Sequence, residues 1–178
     1  MHIVENQPPS RMIDAGLSRD FYVHRDASWQ EFSASLRTNK RWKAGDVLGP
    51  VRGTKSPRKY DTVQCGPSSE DNITVDSIFV YVNHSCDPNV AFDMSSKHPS
   101  EWHIRALKAI DAEEELTFFY PSTEWELDQP FECRCASPMC LGLVRGARDV
   151  GLEQIKARGY VSPWIIELFR DREERVGA

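Results

Sequence analysis

Cys133-x-Cys135-x4-Cys140 places three of the chain's five cysteines within eight residues. Thiolates bind Zn2+ tetrahedrally at about 2.3 Å, and a short loop lets two or three sulfurs face one ion. Three ligands from one loop need a fourth from elsewhere, and Cys65, Cys86 and His84 are the candidates. Four sulfurs would close the site and leave no position for a reactive water, which disfavours metal-assisted hydrolysis. The bland alternative is a set of ordinary buried thiols, since Cys is among the most buried residue types. A second polar group is acidic: Glu113 to Glu115, with Glu124, Glu126 and Asp128, could attract a basic peptide. A solvated acidic face is the commoner outcome of such a run.

These residues need a scaffold, and the composition supplies one. A chain of 178 residues is expected to form one domain. Apolar residues make up 40% and charged residues 28%, a globular balance. The net charge of −5 argues against direct nucleic-acid binding and suits a basic partner. No apolar run is long enough for a membrane span. Met1 to Ser10 has no apolar segment of the secretory kind, so an intracellular location, nucleus or cytoplasm, is expected.

The positioning elements read as many short strands, long loops and terminal helices, a β-rich α+β architecture. Strands are expected at Phe21–His24, Val47–Leu48, Tyr60–Cys65, Val90–Phe92, Trp102–Leu107 and Leu116–Phe119. Ser28 to Leu36 carries apolar residues at Trp29, Phe32 and Leu36, the spacing of a short helix or a turn-rich segment. Residues 49–59 read as a basic loop, and Ile73 to Val82 as a buried strand, a strand pair or a short buried helix. Leu152 to Arg158 forms a helical turn or two. Ser162-Pro163 opens a stronger helix, with Ser as N-cap and Pro at the first helical position.

Three segments together resemble the SET-domain methyltransferases. Asn83-His84-Ser85-Cys86-Asp87-Pro88-Asn89 matches the family's NHSCxPN signature, and Glu114 to Tyr120 is similar to its Gly-Glu-Glu-Leu-Thr-Phe-Asp-Tyr stretch. Cys133-Arg134-Cys135 to Cys140 matches the post-SET CxCxxxxC. The resemblance implies small curved β-sheets around a knot-like crossing, rare among folds, which sets residues 83–86 beside residues 116–120. A post-SET zinc loop and C-terminal helices complete the implied fold. Its implied divisions are an irregular segment 1–20, a SET domain 21–122, a post-SET zinc region 123–146 and a helical extension 147–178.

The same resemblance implies S-adenosylmethionine as cofactor and one structural Zn2+ held by Cys86, Cys133, Cys135 and Cys140. It implies a lysine-containing protein or peptide as methyl acceptor, a histone among them. Tyr120 becomes the active-site tyrosine. Asn83, His84, Tyr120 and Leu141 are implied to contact the cofactor, and Phe118 and Tyr81 to line the substrate channel. Phe118 stands where a Phe leaves room for di- or trimethylation. The sulfonium methyl is already activated, so the protein's task is to align a neutral amine for in-line displacement. Trp125 and Phe131 read either as groove-lining residues or as loop anchors. Leu141-Gly142-Leu143 reads either as a cover over the cofactor or as a return loop.

The chain departs from the family at two places. Residues 21–44 contain no glycine, so Arg25 to Ser28 stand where the family carries a Gly-x-Gly turn, and Phe119 replaces the family's Asp. Two rival functions follow: a SET-like enzyme acting on a small molecule or repurposed for another reaction, and a non-enzymatic zinc-stabilised interaction module.

Overall fold

The computed structural model describes residues 17–25 and 34–177. A single turn α1 (Leu17–Asp20) leads into β1 (Phe21–Arg25), which pairs antiparallel with β2 (Ala34–Thr38). β3 (Val47–Pro50), β4 (Gly53–Lys55), β5 (Thr62–Gln64) and β6 (Asn72–Val75) follow. Then come β7 (Asn83–His84), β8 (Val90–Asp93), β9 (His103–Ala106) and β10 (Thr117–Phe118). β11 (Phe131–Glu132) and β12 (Leu143–Val144) flank the cysteine loop, and α2 (Leu152–Lys156) and α3 (Pro163–Val176) end the chain.

These strands form small separate sheets rather than one large one. The orders are β3-β9-β8 and β4-β6-β5, with two-stranded pairs β1-β2, β7-β10 and β11-β12. Short strands bury little individually, so the sheets share one core. Phe21 stacks on Trp42 at 5.6 Å between centroids and meets Phe79 edge-on at 5.4 Å. Leu36, Phe92, Ile104, Ile110 and Leu116 are fully buried around them.

Several expectations are revised. Leu36 lies in a strand, not a helix, because β2 pairs along its length with β1 and Arg37 also bridges to Glu115. The rest of Ser28 to Leu36 up to residue 33 lies outside the described residues, as does most of the Arg25 to Ser28 turn. The basic stretch 49–59 is not all loop: β4 is exposed along its length and held by backbone pairing with β6, so no apolar alternation signals it. Gly53 is required there, since a Cβ would sit 2.5 Å from the Thr74 carbonyl oxygen. Ile73 to Val82 splits into strand β6 and a 3-10 turn over Ile78–Tyr81. Ser162 occupies the N-cap position of α3, but its hydroxyl does not cap the helix. Its backbone N–H donates to the Ser122 carbonyl at 2.9 Å.

The pairing that positions the site is β7 with β10. It is parallel, in the register Asn83↔Thr117 and Phe118↔His84, and extends through Ser85 N–H to the Phe118 carbonyl at 3.0 Å. Asn89 clamps it. The buried Asn89 side chain donates to Glu114 Oε1 (3.0 Å) and the Glu115 carbonyl (2.7 Å) and accepts from Thr117 N–H (2.8 Å). The α3 face carrying Trp164, Ile165 and Phe169 is buried; Trp164 Nε1 donates to the Thr123 carbonyl at 2.9 Å, and Trp125 meets Phe169 edge-on at 5.0 Å. The helix thus braces residues 122–125.

Removing the Asn89 side chain leaves buried polar groups without partners. Asn89→Ala should cost about 2–4 kcal/mol in chemical denaturation of the zinc-loaded protein. A loss below about 0.5 kcal/mol would show that the clamp is dispensable.

Candidate active site and metal centre

The crossing opens onto a cavity of about 440 Å3. Asn83, His84, Phe92, Phe118, Tyr120 and Phe131 form much of its wall. The rings touch in sequence: Phe92 to Phe118 at 4.4 Å, Phe118 to Tyr120 at 4.6 Å and Tyr120 to Phe131 at 5.9 Å. Burial, and then the negative charges of Glu124 and Glu115, push the Tyr120 phenol above its ordinary pKa. The hydroxyl therefore keeps its proton at neutral pH and can act as a hydrogen-bond donor.

His84 joins this wall to the cysteines. Its ring lies 5.1 Å from Tyr120 and 5.4 Å from Phe131. Nδ1 accepts the Tyr120 backbone N–H at 3.2 Å, which leaves the proton on Nε2, 3.3 Å from Cys86 Sγ. Burial, with Arg158 adding to it, lowers the His84 pKa to about 4. The imidazole is neutral and donates to sulfur rather than binding metal.

The four sulfurs of Cys86, Cys133, Cys135 and Cys140 lie within 4.8 Å of one another, and Cys86 and Cys133 are 3.9 Å apart. Tetrahedral zinc at about 2.3 Å from each sulfur requires S···S separations of about 3.8 Å, so the cluster fits the ion. The surroundings suit thiolates as well: Leu141 N–H points at Cys86 Sγ and Gly142 N–H at Cys140 Sγ, both at 3.4 Å. Gly142 reaches that position with φ +70°, open to glycine without strain. Cys65 and His84, the other two candidates for the fourth position, stand outside the cluster. Cys86 is fully buried while the three loop cysteines are partly exposed, so the ion would tie the loop to the core. Arg158 reinforces the junction. Its guanidinium donates to the carbonyls of Cys86 (3.2 Å), Met139 (2.9 Å) and Gln154, and sits 4.5 Å from the Phe119 ring centroid. Where the family has Asp, this chain sets an aromatic ring against a buried cation.

Of the residues expected at the site, Asn83, His84, Phe118 and Tyr120 converge on the cavity. Tyr81 is not among its lining residues; the Arg25 guanidinium lies 5.8 Å from its ring centroid. Leu141 sits at the metal cluster, not on the cavity. The two aromatic residues of the insert divide: Phe131 lines the cavity and Trp125 anchors on Phe169. Leu143 pairs in β12 with β11, so the segment after Cys140 returns as a strand.

Glu124 corrects the expectation of a solvated acidic face. It is 5% exposed and lines the cavity. Its Oε1 accepts Gln64 N–H at 2.8 Å and the Thr123 hydroxyl at 3.1 Å. Gln64 Oε1 in turn accepts Trp125 N–H at 2.9 Å, so β5 and residues 124–125 are stapled together. Burial raises the Glu124 pKa to about 7, with the Gln64 and Thr123 hydrogen bonds and then Arg58 acting against it. Nothing in a run of acidic residues separates this one from its exposed neighbours.

The metal centre predicts one zinc per chain by metal analysis. Cys86→Ser should release it and lower the melting temperature by about 10 °C or more, whereas Cys65→Ser should leave the metal content unchanged. A folded, metal-free protein would contradict the site. Glu124 predicts a pH effect. Its pKa is raised in the folded state, so its contribution to stability is greatest below the ordinary carboxylate range and is lost as pH rises to about 7. Glu124→Gln should therefore gain stability relative to the native chain between pH 5 and 8, measured by denaturation at each pH. A difference independent of pH would exclude a shifted carboxyl.

Comparison with known proteins agrees with this geometry. The SET-domain family model matches residues 33–121. The methyltransferase flvH of Aspergillus flavus is 37% identical over 147 residues, covering 82% of this chain and 79% of that protein. The H3 lysine-9-specific histone-lysine N-methyltransferase KMT1 of Fusarium mangiferae is 33% identical over 102 residues, and the Drosophila melanogaster histone-lysine N-methyltransferase ash1 is 36% identical over 67 residues. The chain spans only 28% and 3% of those two proteins. The crystal structure of the methyltransferase domain of human SETMAR superposes with a TM-score of 0.52 at 20% identity, over 71% of this chain and 58% of that one. With the signature residues gathered at one crossing, a four-cysteine cluster beside them, the family model matched over residues 33–121 and flvH aligned over 82% of the chain, the chain belongs to the SET-domain family of S-adenosylmethionine-dependent methyltransferases.

Proposed function

We propose that this protein methylates the side-chain amine of lysine in a protein or peptide, with S-adenosylmethionine as donor and one structural zinc. The observation that carries the reading is the aromatic-walled cavity whose lining brings Asn83, His84, Phe118 and Tyr120 together. S-adenosylmethionine, when bound, supplies the activated methyl. Asn83 and His84 take the cofactor side, while Phe118 and Tyr120 take the amine side. A lysine near its ordinary pKa of about 10.4 is mostly cationic in water. The apolar rings favour its neutral form by desolvation. The Tyr120 hydroxyl and the rings beside it hold the nitrogen in line with the methyl, which is a task of positioning. Asn83 is itself held in place, donating through Nδ2 to the Ala34 carbonyl at 2.9 Å and to Glu115 Oε1 at 3.3 Å.

A second reading is methylation of a small molecule, a small amine among them. The relative matched over 79% of its own length is named only as a methyltransferase, whereas the chain spans a minor part of the two histone-lysine enzymes.

The test is labelled-methyl transfer to a peptide array and, in parallel, to a panel of small amines. Incorporation into lysine peptides supports the first reading, and incorporation into small amines alone supports the second. Tyr120→Phe should lower kcat about 10²–10³-fold while leaving S-adenosylhomocysteine affinity within about threefold. With Phe118 at the cavity wall, di- or trimethyl product is expected at saturating cofactor. Monomethyl product alone would show that the cavity is narrower than Phe118 implies.

A further inference from the structure

We propose that Glu124 is the carboxylate subsite that first receives the cationic head of the substrate, before the amine loses its proton beside Phe118 and Tyr120, so that the cavity admits primary ammonium groups in preference to neutral isosteres such as alcohols. This rests on the amine-methylating reading and deepens it.

Glu124 is buried, yet it lines the cavity. Both of its hydrogen bonds fall on Oε1, from Gln64 N–H and the Thr123 hydroxyl, which fixes the group in place. A buried carboxylate normally has a cationic partner. Among the described residues, no Lys, Arg or His nitrogen forms an ion pair with it. Arg58 and Lys59 also line the cavity, and the Arg58 charge acts on Glu124, but the Arg58 guanidinium pairs with Glu126 Oε2 at 3.5 Å. A direct ion pair with Glu124 is left for a ligand to supply. Phe92, Phe118, Tyr120 and Phe131 give the wall an aromatic stretch suited to an alkyl stem, while Arg58, Lys59, Asp61 and Asp128 also line the cavity; Tyr120 stands close enough for the Glu124 charge to raise its pKa. An alkylammonium beside these rings would place its charge against Glu124, the one buried anion among the described residues that line the cavity. Glu115, whose charge also acts on Tyr120, is instead hydrogen-bonded to Asn83.

The proton behaviour follows. Arg58 acts on Glu124, and Glu124 in turn helps to raise Tyr120 and Cys65, Cys65 to about 11 by burial, then by Asp71 and Glu124. Lys59, Asp61, His84 and Asp128 share the cavity wall with it. With a pKa of about 7, Glu124 is about half protonated at that pH. Pairing with an ammonium favours the carboxylate, so binding releases up to about half a proton.

The experiment is calorimetric titration of n-butylammonium, the lysine side-chain analogue, into the zinc-loaded protein. It is run with and without saturating S-adenosylhomocysteine, at pH 7, in two buffers of different ionisation enthalpy, with 1-butanol as the neutral control. Glu124→Gln keeps an oxygen to accept from Gln64 and Thr123 while removing the charge. The variant should bind butylammonium at least about tenfold more weakly and release no proton, with 1-butanol and S-adenosylhomocysteine affinities unchanged within about twofold. Butylammonium affinity within twofold of the native chain overturns the subsite, as does binding to the native chain without proton release or no binding at all. Failure of S-adenosylhomocysteine to bind would instead strike the methyl-transfer reading. Amine methylation by Glu124→Gln at the native KM would overturn the subsite alone.

Discussion

Two strands of two residues each, β7 and β10, run parallel across a separation of more than thirty residues in sequence. Such a pair cannot hold itself together, because its few backbone bonds do not offset the entropy of closing the loop between them. Asn89 completes it, with three side-chain hydrogen bonds spanning Glu114 to Thr117. Everything chemical hangs from that crossing. Asn83 and His84 sit on one strand, Phe118 on the other, and Cys86 and Tyr120 lie two residues beyond the ends. Among the described residues, several small sheets around a shared aromatic core hold this half-buried parallel pair in place.

The cysteine loop answers a different constraint. Its three sulfurs belong to a partly exposed segment with little apolar surface of its own, while the fourth lies in the core. A bound ion would tie the four thiolates into one junction, and His84, Leu141 and Gly142 supply N–H groups toward the sulfurs. Arg158 adds a second junction from the C-terminal extension, through carbonyls of both Cys86 and Met139. The cavity wall, the cysteine loop and the C-terminal extension are thus connected through His84, Cys86 and Arg158.

Much of this was legible in residue order. The NHSCxPN run, the Glu114 to Tyr120 stretch and the cysteine spacing each name a local geometry, and the structure brings them together as their resemblance implies. Strands with alternating or apolar character, such as β1 and β9, were readable for the same reason. What escaped was decided by partners distant in sequence. β4 is polar and exposed, and exists because β6 offers it a backbone edge. Leu36 is extended because β1 and Glu115 claim the backbone on both sides. Glu124 looks like any acid in an acidic run, and only Gln64 and α3, 60 and about 40 residues away, put it indoors. Tyr81 shows the converse: a ring with the right type and approximate place that turns toward Arg25 instead of the cavity.

The central claim is that one crossing presents a cofactor on the Asn83 and His84 side and an amine on the Tyr120 side of a single cavity, braced by zinc. A crystal structure of the zinc-loaded protein with S-adenosylhomocysteine tests it most directly. The account predicts an ion within about 2.3 Å of all four sulfurs, and the cofactor against Asn83 and His84 with its sulfur facing the Tyr120 hydroxyl across the cavity. Cofactor bound elsewhere, or a cavity closed by Phe118 and Phe131 with zinc in place, would contradict it.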